Sequence, residues 1–442
     1  MVRNKVRRSV TASLKDGLAW AGMSGFVEPY VVPFALALGA SNPAIGFLRS
    51  APPLAASVAQ LFNERMVRRL GSCRRAVRLD VLVQAVSLFA AAGVVFLPPS
   101  LAFLCLAAAM IVYTTAGNLA GPPWATLMGE YIPPRRRGTF FGFRNQTVGL
   151  TFFAASLAAA RVLNFYPGLW AFSGLFAAAG VFRLLSFSYI GEMYEPASGF
   201  HLPDSDLEAP AAPGDPALRP FLASIFAVMF SAFLVAPYFS VYLLKDLGYG
   251  YLRYMVIMTA GQLVTYLLMR RWGAIADAYG SVRVLRLAFL GIPLIPLLWA
   301  LAPSFAWLVC VELFSGVVWA AYGMGTNNFI YELAGAHNRT RYNAMFGFTA
   351  CLGQFAGALA GGLLYSYLPG GAFITLLFVS AALRCASIIP FLRRVEEKDL
   401  PGKARPGFLM AAIGFRSIDI YPASAPDLRH SAAQAPGPEK KG

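Results

Sequence analysis

Gly273-Ala-Ile-Ala-Asp277-Ala-Tyr-Gly280-Ser-Val-Arg283 is a short polar stretch between two long apolar runs, 253–272 and 285–303. A helix of about 20 apolar residues crosses the ~30 Å hydrocarbon layer of a bilayer. The stretch therefore reads as a tight loop between two membrane helices. Working outward from it finds further apolar runs at 17–39, 43–64, 79–98, 101–127, 139–161, 168–191, 219–244, 305–330, 344–368 and 371–392. Most are separated by short turns carrying Pro or Gly, as at Pro98-Pro99 and Pro167-Gly168. The fold class expected is an all-α membrane protein with about twelve transmembrane helices.

Composition agrees. The chain has 442 residues, of which 57% are hydrophobic and 13% charged. Typical soluble domains carry about 25% charged residues, and half that number cannot cover a soluble surface of this size. The net charge of +16 is not spread evenly. With the N-terminus inside, 31 of the 37 Lys and Arg fall on inner flanks and only Arg161, Lys245 and Arg253 on outer ones. Positive residues concentrate on the cytoplasmic side, so both termini are expected there. Basic flanks are drawn to anionic lipid headgroups, which makes membrane lipids the expected partner and not nucleic acid. The basic N-terminus precedes an apolar stretch too long for a signal peptide. The expected location is the bacterial cytoplasmic membrane.

The five cysteines are scattered and the three histidines lie in polar segments. No spacing suggests a metal site, a disulfide framework, a nucleophile triad or a phosphate loop. An enzyme is not expected, nor a cofactor or bound metal. The organisation expected is a basic N-terminus (1–16), a six-helix half (17–192), a linker rich in Pro, Ala, Asp and Glu (193–217), a second six-helix half (218–394) and a polar, mostly disordered tail (395–442).

The two halves resemble each other at an offset near 209 residues. Pro29-Tyr30 matches Pro237-Tyr238, Gly71-x-x-Arg74 matches Gly280-x-x-Arg283, Tyr113-x4-Asn118 matches Tyr322-x4-Asn327, and Phe141-Gly-Phe143 matches Phe346-Gly-Phe348. Their common order points to duplication, a recurrent transporter design with the site between the repeats.

Gly273-x-x-x-Asp277-x-x-Gly280-x-x-Arg283 resembles the loop signature of the major facilitator superfamily. Between the second and third spans, where the superfamily has its stronger copy, Gly71 and Arg74 are kept but Arg68 stands in the Asp position. The resemblance covers roughly residues 15–395. It implies two six-helix halves that rock around a central site, with Gly273, Asp277, Gly280, Arg283, Gly71 and Arg74 in a gating role. It also implies that the second and eleventh spans meet across the halves. Ala51, Ala55 and Ala59 would then face Gly353, Gly357 and Gly361, small residues that permit close approach. The expected activity is secondary transport of a small solute by a monomer, with no ATP motif and a proton gradient as driver. Efflux of an amphipathic compound is favoured over uptake because the spans are rich in aromatics. A non-transporting receptor, scaffold or assembly factor is the alternative, kept open by Arg68.

Glu28 is the acid nearest the middle of any span. A carboxylate there costs about 2.5–3.5 kcal/mol to insert, so it should face a cavity or a partner. It is the first candidate for proton coupling, and also for solute binding; Glu312 is the second proton-coupling candidate. Arg49, Asn118, Asn327, Gln262, Gln354, Tyr30, Tyr238, Trp319 and Tyr322 are candidate solute contacts, each weighed against packing or helix-to-helix bonding. Arg183 and Arg384, at matched positions in the sixth and twelfth spans, read as snorkelling to the headgroups.

The charge bias carries a test. In a cysteine-free background, a membrane-impermeant thiol reagent added from outside should label a cysteine at position 246 and leave one at 205 unlabelled; the reverse pattern overturns the topology.

Overall fold

The computed structural model describes residues 2–132, 134–195, 216–334, 339–368 and 372–394. The first apolar run forms two helices, α1 (Val2–Val27) and α2 (Val31–Ala37), with Glu28, Pro29 and Tyr30 between them. Pro29 and Pro33 each lack the N–H a helix needs at that position, so the ladder fails over this turn. At its other end α1 runs through residue 16 without a break, and Ser9, Ala12, Ser13 and Asp16 are buried. The expected segment 1–16 is thus, from Val2 on, part of the first helix.

The chain continues through α3 (Asn42–Gln60), the short α4 (Asn63–Leu70), α5 (Cys73–Ala92), α6 (Pro99–Tyr131), α7 (Pro134–Phe165) and α8 (Leu169–Gly191). It resumes with α9 (Leu218–Phe233), a 3-10 turn, α10 (Phe239–Val241) and a π turn over Tyr242–Asp246. Next come α11 (Tyr251–Tyr279), α12 (Ser281–Gly291) and α13 (Leu294–Ala300). The last helices are α14 (Phe305–Ala334), α15 (Arg339–Tyr367) and α16 (Ala372–Arg394). Each apolar run found in the sequence coincides with one or more of these helices. Among the described residues, nine helices are long and apolar enough to cross a membrane, and Phe373–Ile389 is a shorter apolar helix. Most of the expected linker and all of the tail lie outside the described residues.

Packing repeats along the chain. In the first part α1 packs on α7 and α8, α3 on α6, and α5 on α6 and α8. In the second part α9 packs on α15 and α16, α11 on α14, α12 on α14, and α13 on α16. Between the parts, α3 meets α15 and α11 meets α7. Matched side chains make matched bonds. Tyr30 donates to the carbonyl of Ser156 on α7 at 2.6 Å, and Tyr238 donates to the carbonyl of Ala358 on α15. Gly71 and Gly280 both have positive φ, 62° and 105°, a region open to glycine at little cost. Each is followed by a serine bonded to an acid: Ser72 to Glu195, and Ser281 to Glu332 at 2.8 Å.

The glycine stripe of α15 does not face α3. A Cβ at Gly353 would meet the carbonyl of Phe226 at 2.7 Å, and those at Gly357 and Gly361 would strike the carbonyls of Phe230 and Leu234. All three carbonyls belong to or adjoin α9, in the same part of the chain. Contact with α3 runs instead through Gly46, whose Cβ would meet Tyr238 and Ala358, and through Gly362, which lies against Asn42 and Pro43. Small residues record that a helix comes close, not which helix it is. Gly357→Ala should therefore cost about 1–3 kcal/mol by overpacking the α9 contact. Gly347→Ala, with nothing within 4 Å, should gain about 0.5–1 kcal/mol from helix propensity. Thermal unfolding in detergent checks the pair, and equal melting temperatures would refute the close approach.

Candidate functional site

Glu28 stands where α1 stops, and its side chain is exposed to a cavity of about 390 Å³. That volume lies toward the lower end of the ~300–1,000 Å³ range of small-molecule pockets. The charged groups on its wall are Glu28 and Arg49, the latter on α3. Polar groups come from Gln84 on α5 and from Tyr113, Thr114 and Asn118 on α6. Val31, Leu48, Met110, Pro52 and Pro53 supply the apolar wall, with Trp20 at the end nearer the N-terminus. Trp20 lies eight positions before Glu28, about 12 Å along the helix axis. Gly117 keeps the wall thin, since a Cβ there would collide with the Gln84 amide.

Neither charge on this wall is neutralised by contact. Ion pairs elsewhere include Arg68 with Glu64 at 2.6 Å and Arg8 with Glu192 at 3.4 Å. Glu28 and Arg49 form none, with each other or with any described residue. Their fields reach one another across the cavity, and that of Glu28 also reaches Tyr113.

Behind Gln84 lies a buried ionic cluster that the sequence reading missed. Arg183 on α8 donates to Gln84 Oε1 at 2.7 Å and to Ser186 Oγ at 2.9 Å. It lies 3.8 Å from Asp16 Oδ1, to which Ser186 also donates. Arg144 on α7 lies 3.9 Å from Asp16 Oδ2 and caps the ring of Trp124 at 4.4 Å. Gln84 in turn donates to the carbonyl of Tyr113 at 3.0 Å, so it joins the cluster to the cavity wall. Asp80 on α5 is buried nearby, with Oδ2 unbonded. Arg183 and Arg384 are 4% and 3% exposed, which excludes snorkelling for either. The signal for Arg183 was its depth in the sixth span. Its partner Asp16 was hidden because it fell at the edge of a basic segment.

The remaining candidates scatter. Asn118 joins Glu28 and Arg49 at the cavity, where it accepts from Gln60 at 3.4 Å. Tyr30 and Tyr238 are fully buried packing groups whose hydroxyls bond the backbone. Glu312 is half-buried on α14 and accepts from Trp299 Nε1 at 2.9 Å, beside Gly261 of α11. Tyr322 is buried edge-on to Phe289 and Trp319. Gln262 and Asn327 are exposed, and Gln354 reaches Met229 Sδ at 3.8 Å. Apart from Asn118, none of these lines the cavity around Glu28. In the loop signature Asp277 accepts from Asn328 on α14 at 3.5 Å. Arg74 donates to the carbonyl of Met193 at 2.9 Å, tying the first loop to the end of α8.

One hydrogen bond crosses between the two parts of the chain beside the site. Tyr254 on α11 donates to the carbonyl of Pro29 at 2.8 Å and lies 3.0 Å from Ser240 Oγ. On the same side Gly250 meets Asn164 Oδ1 at the end of α7. The parts are therefore joined on the side away from the N-terminus.

Solved structures share this architecture. A mutant of the nucleoside transporter NupG is 15% identical with a TM-score of 0.69, over 89% of this chain and 100% of that one. A bacterial homologue of the iron transporter ferroportin in an inward-facing state is 15% identical with a TM-score of 0.67, over 87% and 98%. A D-xylose–proton symporter is 14% identical with a TM-score of 0.65, over 89% and 99%. At these identities the likeness concerns the fold alone. No curated protein matches the chain by sequence. The family model of the Major Facilitator Superfamily matches residues 17–358 and 221–418, which together take in both sets of helices. The chain is a multi-pass membrane protein that belongs to the major facilitator superfamily of transporters.

Proposed function

We propose that the protein is a proton-coupled secondary transporter that carries a small solute across a bacterial inner membrane. Its two six-helix halves, twelve spans in all with both termini cytoplasmic, rock around the Glu28 cavity in alternating access. The recurring helix pairs and the paired Tyr30 and Tyr238 bonds support the two-repeat reading. The observation that carries the function is Glu28 itself. It is an acid without an ion-pair partner among the described residues, at a break in the first span, facing a cavity, and the adjoining Pro29 carbonyl is bonded by Tyr254 of α11. The coupling of a similar fold to protons in the D-xylose–proton symporter is consistent with this reading.

A carboxyl group in such a place drives transport only if its proton affinity differs between the two states of the carrier. Each unit of pKa difference supplies about 1.36 kcal/mol. Asp277, Gly273, Gly280, Arg283, Gly71 and Arg74 would then act at the loop ends of the rocking helices. The solute itself is better matched to a small polar molecule than to a bulky amphipath. Of the aromatics that first suggested efflux of an amphipathic compound, only Trp20 and Tyr113 line the cavity, while others pack on one another, as Phe34 does on Phe172 and Tyr242 on Phe373. The cavity instead offers a guanidinium, the Asn118 amide and two hydroxyls.

A thermal-shift screen of carboxylates, amino acids, sugars and nucleosides supplies a solute, and proteoliposomes with an imposed pH gradient supply the test. Wild-type protein should accumulate that solute. Glu28→Gln, fixed in a neutral form, should lose gradient-driven accumulation while keeping solute binding and counterflow exchange. Glu28→Asp should keep part of the activity with a displaced pH profile. Full pH-driven accumulation by a folded Glu28→Gln variant refutes the coupling role. Loss of folding in that variant assigns Glu28 a structural one. Binding without any movement by wild-type protein would favour a receptor or scaffold.

A further inference from the structure

We propose that the solute is a small organic anion whose carboxylate docks on Arg49 and which travels with one proton on Glu28. This rests on the transport reading above and adds to it a ligand class and a stoichiometry.

Two opposite charges face one cavity. A guanidinium carries its charge at any physiological pH, and that of Arg49 faces the cavity with no ion-pair partner among the described residues. Its planar fork suits a carboxylate, which it can bind through two parallel hydrogen bonds. The groups facing Glu28 from neighbouring elements are Arg49 of α3 and Tyr113 of α6, with the hydroxyl of Tyr254 from α11 bonded to the adjoining Pro29 carbonyl. α5 presents the neutral Gln84. Behind it Asp16 lies within ion-pair reach of Arg144 and Arg183, and Asp80 is buried nearby; none of the four lines the cavity. On the cavity wall itself charge is carried by Glu28 and Arg49, to which the ligand adds its own.

Two loadings bring that charge to zero. With the cavity empty, ionised Glu28 balances Arg49. With both ligands bound, Glu28 is protonated and the carboxylate balances Arg49. A proton alone leaves one positive charge, and an anion alone leaves one negative charge. Closing helices around an uncompensated charge is costly because it must leave water unpaired. The empty and the fully loaded carriers are therefore the two that reorient, which couples one proton to one monoanion without net charge movement. Binding is linked in the same sense: protonating Glu28 removes the charge that competes for Arg49, and by reciprocity the anion raises the proton's affinity. The amide of Asn118 and the hydroxyls of Thr114 and Tyr113 suit a solute bearing further hydroxyl or carbonyl groups.

The test uses full-length protein in proteoliposomes and a panel of acids matched with their amides: lactate and lactamide, butyrate and butyramide, benzoate and benzamide, nicotinate and nicotinamide, with inorganic phosphate alongside. At least one carboxylate should bind while its amide does not. Its affinity should rise by up to about tenfold for each unit of falling pH. Glu28→Gln should hold the carboxylate tightly at every pH. Arg49→Gln should weaken it at least about tenfold, and Arg49→Lys should recover part of the loss. A pH gradient, but not a membrane potential alone, should drive uptake. Equal binding of acid and amide, affinity unmoved by Arg49→Gln, pH-independent binding by the wild type, or a panel in which only phosphate or nothing binds overturns the proposal. A carboxylate that binds in this pattern but never crosses the bilayer leaves the ligand assignment standing and defeats the transport reading. A transported solute that lacks a negative charge does the opposite.

Discussion

A proline within a helix withholds the N–H that would satisfy the carbonyl four residues earlier, and in hydrocarbon no water replaces it. This chain meets that constraint three times with a side chain from another helix. Pro33 leaves the carbonyl of Pro29 open, and Tyr254 fills it from α11 at 2.8 Å. Pro123 leaves that of Leu119, filled by Asn63 from α4 at 3.1 Å. Pro296 leaves that of Ile292, filled by Arg384 from α16 at 3.1 Å. Each donor is fixed in place by the defect it repairs. The first of the three also positions the site, because the break that exposes the Pro29 carbonyl turns Glu28 toward the cavity.

The ionic cluster behind Gln84 has a different role from the cavity charges. Asp16, Arg144 and Arg183 join α1, α7 and α8, and Arg183 reaches α5 through Gln84. Buried charges that satisfy one another resist separation, since removing either partner leaves the other stranded. Of the helices that wall the Glu28 cavity, α1 and α5 are thereby held to α7 and α8. The bond from Gln84 to the Tyr113 carbonyl links them to α6.

How much of this the sequence disclosed depended on whether a residue's signal was local. Glu28 was legible because an acid inside an apolar run has few places to go. The loop glycines were legible because Gly71 and Gly280 occupy backbone conformations that exclude most side chains. Contacts between distant helices were not. The α15 glycines announced a close neighbour, yet α9 and α3 are equally compatible with a four-residue stripe. Tyr30 and Tyr238 looked like cavity aromatics, but each spends its hydroxyl on a carbonyl of a neighbouring helix. Asp16 was overlooked because it sits just after basic residues, where an acid reads as solvated. The cavity itself gathers Glu28, Arg49 and Asn118 from three stretches of the chain and leaves the second-half candidates elsewhere, which no linear spacing could express.

The Tyr254 bond gives water a part in the motion. When α11 draws away from the first span, the Pro29 carbonyl loses its donor and no backbone N–H lies in register to replace it. Only solvent entering the gap can satisfy it, so opening on that side is a hydration event as well as a rotation. Osmolytes excluded from the gap would lower the activity of that water and hold the carrier shut on the Tyr254 side, independently of any solute it carries.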